Sequence, residues 1–212
     1  MAERRQAQIS SRKQPQQARS IELVEAVLDA AIQVLASEGA PRFTMARVAE
    51  RAGVSVGSIY QYFPNKAAIL FRLQSDEWAR TFQMLRGILE QKATPPLDRL
   101  RAAVHAFICS ECEEAGVRTA LDDAAPLYRD APEAHEALQA GAGIMHAFMC
   151  EALPDARAEQ RALAISLIES TIRSVGKSYL EAPRTPAEID AFADAMADMF
   201  CAYLAKLNRT TV

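Results

Sequence analysis

Ser55, Val56, Gly57 and Ser58 stand together in the sequence, with Thr44 eleven residues before Ser55 and Tyr60, Tyr62 and Lys66 just after Ser58. None of these pairs a nucleophile with a base, so the chemistry they fit is recognition, not bond breaking. The Ser55 and Ser58 hydroxyls can bond a base edge, Val56 can pack on a thymine methyl, and Gly57 lets a backbone come close. Thr44, Tyr60, Tyr62 and Lys66 are donors of the kind that hold phosphates on either flank. The set therefore reads as a double-stranded DNA contact surface.

Such residues act only if a rigid element presents them. Thr44 is a good N-cap for a helix carrying Met45, Val48, Ala49 and Ala52. Gly53 ends it with the positive φ that a tight turn needs. Ser55 caps the next helix, which runs through Val56, Ile59 and Tyr60 to Phe63 before Pro64 stops it. Val48, Val54, Ile59 and Phe63 lock these helices and are expected to be core. Upstream, Val24, Val27, Leu28, Ala31 and Leu35 recur at three- and four-residue steps from about Ser20, until Gly39. Three short helices so punctuated form a helix-turn-helix unit whose second helix enters the major groove.

The pattern Phe43-Thr44, Val48-Ala49, Ala52-Gly53-Val54-Ser55, Gly57, Tyr60, Phe63, Lys66 and Leu70 resembles the DNA-binding head of the TetR family of bacterial repressors. The resemblance covers about Ser20 to Leu70, and Tyr62 stands where many members carry His. It implies an all-α homodimer with an N-terminal helix-turn-helix head on a helical body. In such proteins the body binds a small molecule that shifts the heads apart, and the last two helices pair in the dimer.

Three regions are expected: a flexible basic arm over 1–19, the helix-turn-helix over 20–66, and a ligand-binding and dimerisation body over 67–212. The arm is polar and basic, and Arg12, Lys13 and Arg19 are candidates for phosphate or minor-groove contact. Through Lys66 there are nine Lys or Arg against six Asp or Glu. After it there are 15 against 21, so a head of +3 joins a body of −6 within a net charge of −3. Helices are expected from Asn65 toward Gln91, from Leu97, and up to Leu153, around a less regular stretch marked by Gly116, Pro126 and Pro132. Two long ones carry Ala164, Ile168, Ile172, Val175 and Tyr179, then Ile189, Phe192, Met196, Phe200, Tyr203 and Leu207. Their stripes, Ile172 and Phe200 included, are expected to form the homodimer interface. No stretch reads as a signal peptide and no apolar run nears the ~20 residues of a membrane span, so a cytoplasmic protein with reduced cysteines is expected.

The body is expected to enclose a mostly apolar effector pocket among Trp78, Phe82, Phe107, Met145, Phe148 and Met149, with His105, Cys109 and Thr171 as polar contacts. Asp122 and Asp123 would favour a cationic effector if they face inward. His105, Cys109 and Cys112 share one helix face, as do His146 and Cys150. Such faces could bind zinc or sense oxidants, but a tetrahedral site would need two of them to meet, and buried Cys commonly serves packing, so no metal or other cofactor is expected. His135-Glu136 lacks the second His of a zinc protease, and Gly141 and Gly143 lack a third Gly and a preceding strand, which leaves an enzyme nothing to stand on. The expected function is a repressor released from a palindromic operator by a small, mostly apolar molecule. The alternative is a dimeric DNA-binding adaptor without a ligand.

Overall fold

The computed structural model describes residues 8–12, 18–179 and 182–210, and all regular structure among them is helical. Among the described residues nine α-helices follow one another: α1 (Ala18–Arg42), α2 (Met45–Ala52), α3 (Val56–Tyr60), α4 (Lys66–Leu89), α5 (Pro96–Glu113), α6 (Ala115–Ala124), α7 (Pro132–Ala152), α8 (Ala158–Tyr179) and α9 (Pro186–Thr210). A single 3₁₀ turn, Ala125–Leu127, follows α6.

Local chemistry explains most boundaries. The α1 backbone breaks at Gly39, whose φ of 74° is costly for any residue with a Cβ. Asn65 caps α4 by accepting from the Ala68 amide at 3.0 Å. Prolines open α5, α7 and α9, where a missing amide proton costs nothing. At α9 a capping box adds to this: Thr185 Oγ1 accepts from the Glu188 amide, and Glu188 Oε2 accepts from the Thr185 amide. The region expected to be irregular instead holds α6, with Ala120, Leu121 and Ala124 buried. Its punctuating residues lie at the ends of α6 and α7 and do not interrupt them.

The chain forms two compact units. The first comprises Met1–Trp78 and Gly116–Leu138, so it holds the trihelical head, the first half of α4 and α6 from Gly116 on. Its core includes Val27, Ala31, Leu35, Phe43, Val48, Ile59, Phe63, Ile69 and Leu70. The second comprises Ala79–Ala115 and Gln139–Val212. Here α5 packs along α9, and Leu100, Val104, Ile108, Met149, Ile168, Phe200 and Leu204 fill the core. Ala193 and Ala197 on α9 are fully buried, and small residues there allow the helices to approach closely. The contact boundary between the two units falls within α4 at Trp78.

Candidate nucleic-acid interface and effector-binding body

Thr44 takes the extended cap conformation and accepts from the Arg47 amide at 3.3 Å. Gly53 adopts φ 67°, ψ 29°, and the Val54 amide reaches back to Ala49 O at 3.0 Å, closing α2 with a left-handed cap. Ser55 caps α3 by accepting from the Ser58 amide at 3.0 Å, while the two serine hydroxyls lie 2.8 Å apart. Val48, Ile59 and Phe63 are buried as expected. Across the turn they leave Thr44, Ser55, Gly57 and Tyr60 exposed and Val56, Ser58 and Lys66 half-exposed. Lys66 is the first residue of α4, close in sequence to the end of α3.

Tyr62, expected as a phosphate donor, lies instead in the core of this unit, 8% exposed. Beside it runs a segment that the sequence offered no reason to fix. Ile9 is buried, the Arg12 amide donates to Tyr62 O at 2.8 Å, and Asn65 Nδ2 donates to Gln8 O at 2.9 Å. Arg12 Nη1 reaches Tyr60 O, and Ser10 donates to Glu133 at 2.6 Å, holding that carboxyl below its usual range. Residues 8–12 are therefore packed onto the head where a flexible arm was expected. Arg4, Arg5 and Lys13 lie outside the described residues.

The same unit buries a polar network that ties α4 to α6. Glu77 pairs with Arg118 at 2.7 Å, and Gln74 donates to Glu77 at 2.9 Å. The Tyr128 hydroxyl lies 3.0 Å from Leu121 O and 3.2 Å from Gln74 Oε1, and burial pushes its ionisation well above the ordinary tyrosine value. Such groups are costly to bury unpaired, so the network fixes one register of α4 against α6.

Chain comparisons add to this geometry. Residues 27–73 match the model of bacterial regulatory proteins of the tetR family, and residues 95–207 match that of the tetracyclin repressor-like C-terminal domain. The chain belongs to the TetR family. It is 34% identical over 68 residues to the fatty acid metabolism regulator protein of Bacillus subtilis, covering 32% of this chain and 35% of that one. It is 28% identical over 146 residues to the HTH-type transcriptional repressor KstR of Rhodococcus jostii, covering 69% and 66%. The chain thus spans between about a third and two thirds of these relatives' lengths. The fold matches the transcriptional regulator FadR of Bacillus subtilis in complex with stearoyl-CoA, with a TM-score of 0.69 at 17% identity over 84% of this chain and 98% of that one. TetR proteins are DNA-binding regulators, and no described helix here is long and apolar enough to cross a membrane.

The residues expected to line an effector pocket divide between the two units. Trp78 belongs to the first unit, and the other eight to the second. Phe148 and Met149 are buried core, with Phe107 and Met145 packed against them. Thr171 is half-buried on α8. The Phe82 ring covers Gly141 so closely that a Cβ there would stand 2.4 Å from it, so Phe82 serves helix packing. His105 bonds Asp194, and burial together with Asp190 and Glu113 raises the Cys109 thiol above its ordinary value. Asp122 and Asp123 are exposed. The second unit does carry a groove of about 530 Å³ between α7 and α8, lined chiefly by Ala142, His146, Ser166, Glu169, Ser170 and Arg173. Burial pushes the Glu169 carboxyl up, and Arg173 partly offsets this.

Proposed function

We propose that this TetR-family chain is a homodimeric repressor that binds a palindromic operator and leaves it when a small molecule binds the body. The observation that carries the reading is the surface of α3, where Val56, Gly57, Ser58 and Tyr60 remain accessible on a helix locked by Ile59 and capped by Ser55. Val56 and Ser58 then read bases, while Thr44, Tyr60 and Lys66 hold phosphates. Repression is favoured over activation because a dimer on an operator blocks polymerase without further machinery, and KstR is named a repressor.

The effector we infer is amphiphilic, with a mostly apolar part and a polar head. Two observations support it: FadR was crystallised with stearoyl-CoA, and the α7–α8 groove lies within the ~300–1,000 Å³ range of small-molecule sites. Its serines, Glu169 and Arg173 suit a polar head more than a hydrocarbon chain.

Random-duplex selection with the full chain should enrich a two-fold symmetric site. Lys66→Ala should weaken binding to all duplexes and reduce the salt slope by roughly one phosphate's worth. Ser58→Ala or Val56→Ala should instead change which sequences are enriched. An unenriched pool, or Lys66→Ala with unchanged affinity and salt slope, removes the operator reading. Fatty acyl-CoAs, stearoyl-CoA first, should raise the melting temperature and release the selected duplex. Operator binding with no release by any amphiphile tested would favour the ligand-free adaptor.

A further inference from the structure

The face of α5 that carries His105 and Cys109 has a partner on α9. His105 and Cys109 are one helical turn apart, as are Asp190 and Asp194. The packing of α5 along α9 brings these faces together. Ligating atoms of His105, Cys109 and Asp190 all lie within 4.8 Å of one another. His105 Nε2 lies 2.9 Å from Asp194 Oδ1.

We propose that His105, Cys109 and Asp190 form a site for a zinc-like divalent metal ion between α5 and α9, with Asp194 orienting the histidine. The separations decide feasibility. Metal–ligand bonds of about 2.0–2.3 Å in a tetrahedron place neighbouring ligand atoms roughly 3.3–3.8 Å apart. Closing from 4.8 Å needs about 1 Å of side-chain movement, within reach of rotamer adjustment and no helix shift. Three protein ligands leave the fourth position to water.

The two aspartates are not equivalent. Arg101 pairs with Asp198 and reaches Asp194 at 3.9 Å, so Asp194 is shared between a guanidinium and an imidazole. Asp190 enters no ion pair among the described residues and is exposed. Asp190 is therefore the carboxylate available to a cation. Asp194 takes the place that a carboxylate holds behind a metal-ligating histidine, where it fixes the ring. Cys109 is only partly buried and the His105 side chain is 30% exposed, so solvent and ions can reach the site.

One nitrogen, one sulfur and one oxygen donor select borderline ions such as Zn²⁺ or Co²⁺. Mg²⁺ and Ca²⁺ need several hard oxygens, which this group lacks. A bound ion would tie α5 to α9 across the core of the second unit. The site is independent of the α7–α8 groove, so its failure would leave the effector reading untouched.

The test is a Co²⁺ titration of the full-length chain, reduced and freed of metal by chelation. One equivalent should bind, with the intense visible bands of tetrahedral cobalt and a near-ultraviolet thiolate-to-cobalt charge-transfer band. Zn²⁺ should abolish both, and excess Mg²⁺ neither. Cys109→Ser should remove the thiolate band, and His105→Ala and Asp190→Asn should weaken binding at least tenfold, each with unchanged helicity. Cys112→Ser should leave the spectrum as it is. So should Cys150→Ser, which removes the thiol 3.9 Å from His146 Nδ1. A thiolate band that survives Cys109→Ser, one that disappears with Cys112 or Cys150, or no band at all would overturn the site.

Discussion

Replacing Leu163 and Leu167 together by Glu should convert the chain to monomers in light scattering. It should also cut operator affinity by at least ~100-fold while circular dichroism stays helical. Leu163 is 62% exposed and Leu167 46%, and Val175, two further turns along α8, is 45% exposed. Met199 on α9 is 50% exposed. These apolar side chains on the last two helices have no cover in the single chain, and exposed apolar side chains of this kind are common at interfaces. Burying a leucine contributes about 1.5–3 kcal/mol, and two-fold symmetry makes each substitution count twice. Four glutamates would also face each other across a dry contact. A monomer must hold one half-site alone and loses the effective concentration that links two heads, a factor of ~10²–10⁴. Ile172 and Phe200, expected from sequence to carry the interface, also pack within the protomer. Phe200 is 2% exposed and Ile172 packs against the same core. Glutamate at Phe200 would disturb that core as well as any contact between copies. A stable dimer in the Leu163→Glu/Leu167→Glu protein would move the interface elsewhere.

The head could be derived from sequence because its constraints are local. A residue at φ 67° between two short helices calls for Gly53, and hydroxyls that accept backbone amides call for Thr44 and Ser55. Those rules hold whatever the rest of the chain does. The helix stripes were equally visible, but a stripe records only that a residue avoids water. It does not say whether the cover comes from the same chain or a second copy, and Phe200 is covered within its own chain. Residues 8–12 show the same limit. Their composition argues against a core, yet a single Ile9 finds a niche beside Tyr62, and three backbone or amide hydrogen bonds hold the strip in place.

Non-local pairing hid the rest. Half of the proposed metal site was evident as His105 and Cys109 on one face. Asp190 and Asp194 carried no signal in the sequence, because their meaning depends on α9 lying against α5. The Glu77–Arg118 pair is likewise invisible in sequence, where both residues read as ordinary surface charges. Two residues expected at an apolar pocket, Phe148 and Met149, lie in the core for a related reason. Large side chains such as Phe148 and Met149 are what a helical unit needs to fill its own interior. The α7–α8 groove is lined largely by serines and small alanines, whose spacing carries no apolar pattern.

The second large effect is expected at a charged residue that pattern reading also passed over. Arg99→Ala should destabilise the second unit by about 3–5 kcal/mol, lowering its melting temperature by on the order of 10 °C. Arg99 is 1% exposed, among the most deeply buried large side chains described. Its guanidinium donates to Leu89 O at the end of α4 and to the Glu151 carboxylate on α7, and lies 5.6 Å from the centre of the Phe148 ring. One side chain from α5 thus fastens two other helices, and its pull holds Glu151 below the usual carboxylate range. Truncation removes the donor from a buried helix-terminal carbonyl and leaves a void beside Phe148. Both terms act against folding. Glu151 is 38% exposed and regains water, so the stranded carbonyl and the void should dominate the loss, not the stranded carboxylate. Arg99→Met separates the two, since methionine refills the void without supplying a donor. It should recover roughly half of the lost stability. Calorimetry that resolves the second unit's transition provides the measurement. A loss below about 1 kcal/mol in Arg99→Ala would show that water reaches the Leu89 carbonyl and that the clamp is not what orders α4, α5 and α7.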